Sequence, residues 1–139
     1  DALIAEASAK GFVETSKRYA GFAVADVIDA YISRTHRDAR GQGCPAAALS
    51  GEAARLPKDT RAVFGEGIDG LVAALESSLA GHPAARAQAI SILAQAVGAV
   101  VLSRACLDDS ELADESLDTC PADWQTTLER RTQWQKAPP

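Results

Sequence analysis

Five apolar side chains, Phe64, Ile68, Leu71, Leu75 and Leu79, fall at i, i+4, i+7, i+11 and i+15. That spacing follows the turn of an α-helix and puts all five on one face, so the segment must bury one long stripe against neighbours. Pro57 and Gly81 mark its ends, because proline suits the first turn of a helix and glycine accepts the left-handed conformation that closes one. A chain built round such a stripe needs partners of the same kind, and alanine supplies them. It makes up about a fifth of the 139 residues and loses no side-chain entropy in a helix. The expected fold class is all-α.

Other segments repeat the pattern. Ile4, Ala7, Phe12 with Gly11, Thr15 and Tyr19 line one face of a helix from Asp1 to Tyr19, interrupted at Gly21. Val24, Val27, Ile28, Tyr31 and Ile32 do the same for a run from about Ala23 to Asp38. Two glycines make 39–45 a loop, and Pro45 opens a short helix to Ala54. From Pro83 to about Leu107, Ile90, Leu93, Ala94, Val97, Val100, Val101 and Leu102 leave a helix apolar on more than one side, which must be covered on several faces. Asp108, Asp109 and Ser110 then break it and offer N-cap oxygens to a last helix carrying Leu112 and Leu117. After Cys120 and Pro121 the chain turns polar, with Trp124, Leu128 and Trp134 in a weak pattern. The expected organisation is one domain over 1–119 and a polar tail over 120–139.

Lys and Arg total 14 against 19 Asp and Glu, a net charge of −5 that disfavours duplex binding by the chain itself, since such binding is dominated by cationic neutralisation. No stretch of about 18 consecutive apolar residues occurs and no basic-then-apolar leader opens the sequence, so the expectation is a cytoplasmic protein with no membrane contact. Cys44, Cys106 and Cys120 are odd in number and lack a Cys-x-x-Cys pair, which points to reduced thiols. The first residue is Asp1, which suggests a chain lacking an upstream part.

The motifs that carry chemistry each meet a plainer reading. Gly65-Glu66-Gly67-Ile68-Asp69-Gly70 matches G-x-G-x-x-G, but it follows no strand, lies inside the helical stripe, and sets Glu66 and Asp69 where a pyrophosphate would sit. Glycines that let helices approach, or leave room for a ligand, explain it better. His36 and His82 have no ligand at a metal-binding spacing, and the acidic run from Asp108 to Asp118 lacks the central Gly and closing Glu of a calcium loop. No metal and no cofactor are expected. Cys44 ahead of a helix N-terminus suits either a redox-sensing thiolate or an inert packing residue, the second being favoured. No nucleophile, acid and base can be assembled, so the expectation is that the chain is not an enzyme.

Two features point to binding instead. Ala87, Ser91, Ala94, Gly98 and Ala105, with Val101 among them, set mostly small side chains at helical steps and allow another helix to come close; a homodimer interface is preferred over an internal helix contact. Phe12, Tyr19, Phe22, Tyr31 and Phe64 share their faces with Ala and Gly, a mixture that either fills a core or leaves a cavity edged by aromatic rings.

The block Gly43-Cys44-Pro45-Ala46-Ala47-Ala48-Leu49, continued by Glu52-Ala53-Ala54-Arg55 and by Leu56 to Phe64, resembles the effector-binding domain of TetR-family transcriptional regulators. Arg86 to Ala89, Val97 to Ala105, and then Leu112, Glu115 and Leu117 are similar to that family's two final helices. The resemblance covers about Asp1 to Asp118 and fades in the tail. It implies a TetR C-terminal-like helical bundle in which Ala85 to Leu107 and Ser110 to Thr119 of each subunit form a four-helix dimer interface. It also implies a pocket for a small apolar or amphipathic ligand among the middle helices, with Tyr31, Phe64, Ile68, Leu71, Ile90 and Leu93 as candidate walls. DNA would be read only through an N-terminal helix-turn-helix domain absent from this chain, and the helix from Ala2 to Tyr19 would carry ligand-induced movement to it. Such a protein is expected to be a repressor released by its ligand. The alternative is a dimerisation module with a filled core and no pocket.

Overall fold

Seven helices and no strand make up residues 2–120, the part of the chain that the computed structural model describes. The first, α1 (Ala2–Tyr19), buries Ser8, Phe12 and Thr15 at steps of four and three, and Lys17 and Arg18 sit in its last turn where the dipole favours cations. Gly21 then takes φ +78, a left-handed angle that costs glycine no Cβ clash, and the chain reverses.

The run expected over 23–38 is two helices. α2 (Val24–Tyr31) buries Val24, Ile28 and Tyr31, and α3 (Arg34–Asp38) buries His36. The break has a local cause. Ser33 is extended at φ −138 and ψ 155, its Oγ accepts from the His36 backbone N–H at 3.1 Å, and the same hydroxyl donates to the Ala30 carbonyl at 2.8 Å. A serine that can cap a new helix competes with continuation of the old one.

α4 (Pro45–Ala53) starts with Pro45 in its first turn. α5 (Lys58–Ser78) carries the long stripe, burying Phe64, Leu71 and Leu75, while Ile68 and Leu79 are half-buried. α6 (Ala85–Ala105) buries Ala89, Ile92, Leu93, Ala96, Ala99 and Val100 on one side. α7 occupies 111–120, with Ala113 and Leu117 buried and Leu112 exposed. The tail expected beyond it lies outside the described residues, apart from Cys120 at the end of α7.

The centre of the fold is α5, flanked by α1 on one side and α6 on another, with α4 bridging α5 and α6. Close approach of α1 to α5 depends on Gly67, where any Cβ would overlap the Phe12 ring. Phe12 in turn meets Phe64 edge to face, with centroids 5.5 Å apart. The G-x-G-x-x-G sequence is therefore helix throughout and serves packing at its middle glycine. On the flank, Arg34 and Arg37 of α3 pair with Asp114 and Asp118 of α7, and Ser103 of α6 donates to the Ala113 carbonyl at 2.7 Å. α6 is long and apolar enough to cross a membrane by length and composition alone, which the search for an unbroken apolar run does not reveal. Here its buried face, Gln88 and Ser103 included, packs within the bundle.

Candidate functional site

A hollow of about 50 Å³ lies where four helices fail to close on one another. α1 contributes Thr15, Ser16 and Tyr19; α2 contributes Val27, Ile28 and Tyr31; α5 contributes Leu71, Ala74, Leu75 and Ser78; α6 contributes Ile92, Leu93 and Ala96. Small residues cause the gap. Ala74 and Ala96 stand where longer side chains would reach across, and Tyr19 and Tyr31 are rigid rings that cannot fold inward to fill it. Among the described residues lining it there are hydroxyls, but no carboxylate, imidazole or thiol.

Tyr31 is the pivot of the site. Its ring stands edge-on to His36 at 4.4 Å and tilted to Tyr19 at 6.2 Å. Its hydroxyl is buried beside the Cys44 thiol but has no hydrogen-bond partner of good geometry. Burial, and then the nearby Cys44, push the phenol well above its ordinary range, so it remains protonated. Tyr19 is also raised, chiefly by burial, with the Arg18 guanidinium beside its hydroxyl acting the other way.

Behind Tyr31, His36 and Arg104 are both engaged. His36 Nδ1 lies 2.7 Å from the Tyr31 carbonyl, and Nε2 lies 3.2 Å from the Cys44 backbone nitrogen. The second contact requires Nε2 to accept, so Nδ1 carries the proton and donates. Burial is the largest cause lowering the His36 pKa; the hydrogen bond to Tyr31 acts against it, and Arg104 and Arg18 reinforce it. Arg104 of α6 donates to the carbonyls of His36 at 2.8 Å, Arg37 at 3.0 Å and Ala47 at 3.3 Å, which ties the end of α3 and the start of α4 to the bundle. The Cys44 side chain is 1% exposed, a packing position with no access for an oxidant. Among the described residues no group of three or more His, Cys, Asp or Glu could hold a metal ion.

The six candidate wall residues separate. Tyr31, Leu71 and Leu93 meet at the hollow. Ile68 and Ile90 lie instead along an open groove of about 430 Å³ between α5 and α6, which Leu93 also borders. Ile90 is 50% exposed, because the side of α6 that carries it faces outward. Phe64 lines neither space; Phe12 covers it and the pair fills the core. Sequence reasoning did not assign Ile28, Leu75, Ile92 or Ala96 to the wall, although Ile28 and Leu75 belong to stripes that were visible.

The six candidate interface residues stay together. Ala87, Ala94, Val101 and Ala105 are exposed, and Ser91 and Gly98 are half-buried. At about 100° per residue they share one face of α6 with Ile90 and Leu102, the latter 61% exposed. That face is apolar and is left uncovered by the other described residues. Compared with known proteins, the chain matches no family model, no curated protein and no solved structure, so the hollow and the bare face of α6 are the observations from which function is argued.

Proposed function

We propose that the chain is the effector-sensing and dimerisation domain of a TetR-type transcriptional regulator, a repressor acting in the cytoplasm, whose DNA-reading domain precedes α1. The observation that carries this reading is the hollow itself, because α1 forms one of its walls through Thr15, Ser16 and Tyr19. Sites for small ligands commonly enclose about 300–1,000 Å³, so a drug-sized apolar guest must part these walls. Moving α1 relative to α5 and α6 is then coupled to occupancy, and a ligand that prefers the parted arrangement shifts the balance of the two. The apolar face of α6 supports the second half of the proposal: two copies joined along Ala87, Ala94, Gly98 and Val101 would cover it and hold two first helices at a set separation. Among the described residues no carboxylate, imidazole or thiol lines the hollow to activate its hydroxyls, which supports a binding role over a catalytic one.

The small volume favours a second reading, a dimerisation module whose core is effectively filled. A thermal-shift screen of apolar compounds separates the two, since a ligand at 100 times its dissociation constant adds about 2.7 kcal/mol to stability. Stabilisation that disappears when the hollow is filled by Ala96→Leu supports sensing. A screen without a hit leaves the module. Sedimentation equilibrium tests both: a monomer at high concentration overturns the interface that they share.

A further inference from the structure

The hollow and the groove between α5 and α6 lie on opposite sides of one seam. On α5, Leu71 lines the hollow while Val72, one residue and about 100° further round, lines the groove. On α6, Ile92 and Ala96 border the hollow, and Ile90 and Val97 border the groove. Leu93, 9% exposed, is the one described residue that lines both, so its side chain stands in the seam as the partition between them. A leucine can vacate such a place by changing rotamer, a smaller movement than parting two helices.

The two spaces differ in size and chemistry. At about 50 Å³ the hollow has room for a few water-sized groups, whereas an apolar cavity that takes benzene measures about 150 Å³. It suits the end of a chain better than a ring, and among the described residues no charged side chain lines it. The groove offers about 430 Å³ and has Ser50, Asp69 and Arg86 on its walls. Arg86 is already paired with Asp69 and Glu76, so the groove offers hydrogen bonds rather than a spare charge. Ile90 and Ala94 belong also to the bare face of α6, so the groove runs to the edge of the proposed dimer contact.

We propose that the guest is a neutral single-chain aliphatic amphiphile that displaces Leu93 and crosses the seam, its hydrocarbon end in the hollow and its polar head in the groove. This deepens the sensing reading and rests on it, because the chain end presses on Thr15 and Tyr19 of α1, which line the same hollow.

The test titrates butanol, octanol and cyclooctanol into the full chain and follows the isoleucine methyl groups by NMR. Octanol should shift Ile28 and Ile92 in the hollow and Ile68 and Ile90 in the groove with one shared midpoint, and should bind at least about tenfold tighter than the compact cyclooctanol. Butanol should shift Ile28 and Ile92 alone. Gly65→Leu fills the groove from a position where an added Cβ meets nothing, so it should weaken octanol at least about tenfold and leave butanol unchanged. Octanol shifts confined to one pair of isoleucines, two separate midpoints, or indifference of octanol to Gly65→Leu overturns the proposal. If Ile28 and Ile92 still respond, the hollow stands as a ligand site; if no alcohol moves them, the sensing reading fails as well. Should Gly65→Leu not fold, the shared midpoint and the ratio of octanol to cyclooctanol decide the matter.

Discussion

Tyr31 stands between two regions that are closed to different degrees. On one side, the junction of α3, α4 and α6 satisfies what it buries: His36 uses both ring nitrogens, and Arg104 spends its guanidinium on three carbonyls. On the other, the space between α1, α2, α5 and α6 leaves the packing incomplete, while the Tyr31 hydroxyl lies beside Cys44 without a hydrogen bond of good geometry. A region that closes its hydrogen bonds is built to hold its shape, because an unpaired buried group costs about 1–3 kcal/mol. A region whose packing stays incomplete has room for added bulk. The contrast can be broken by substitution.

The largest effect should come from Arg104→Met, which keeps most of the stem but abandons three carbonyls at the end of α3 and the start of α4. Hydrogen bonds to a charged donor contribute about 1.5–3 kcal/mol, so a loss of about 3 kcal/mol by urea denaturation is expected. A loss below about 1 kcal/mol would mean that water replaces the guanidinium and that the junction is less closed than its geometry indicates.

Packing gives the next contrast. Gly67→Ala drives a methyl group into the Phe12 ring, in a filled region, and overpacking of that kind costs about 1–3 kcal/mol even after the better helix propensity of alanine is counted. Ala96→Val adds bulk beside the hollow, where there is space to take it, and should cost less than about 1 kcal/mol. Thermal melts of the two variants should therefore differ clearly. Equal losses would show that the hollow is as tightly closed as the α1–α5 contact.

Much of this arrangement is legible from spacing alone. The stripe from Phe64 to Leu79 places α5, Pro45 and Pro57 place two helix starts, Gly21 marks the end of α1, and Gly81 takes the positive φ expected of it. Ser33 is harder to read, because Ile32 prolongs the apolar pattern while the competing signal is a single capping hydroxyl. The site is legible only in part. Periodicity assigns Leu71, Ile68 and Phe64 to one face of α5, but a face is wide enough to border a hollow, a groove and a filled core in turn, and only the positions of α1 and α6 decide which. α6 is apolar nearly all round, so its sequence leaves open which side is covered, and Ile90 falls on the bare one.

Acid offers a finer test of the closed side. The folded-state pKa of His36 lies below the unfolded value, so between the two the unfolded chain binds more protons and stability falls as pH drops. The contribution of neutral His36 is complete above the unfolded value near 6.5 and is lost as pH falls from there through the folded pKa. Asp38 and Asp118, held low by Arg37 and Arg34, act in a separate and more acidic window. Urea midpoints between pH 7 and 5 should decline for the unmodified chain and be nearly flat for His36→Gln; parallel declines would place the titrating group elsewhere.

The smallest effect belongs to Tyr31→Phe, and its smallness is what gives it value. The substitution keeps the ring against His36 and Tyr19 and removes only an oxygen without a hydrogen bond of good geometry, so stability should change by less than about 0.5 kcal/mol or rise. A loss above about 1 kcal/mol would show that the hydroxyl has a structural partner, with the Cys44 thiol beside it the first to suspect; Cys44→Ala in the Tyr31→Phe background would then cost no more than either change alone. A neutral result leaves the hydroxyl idle in the folded chain.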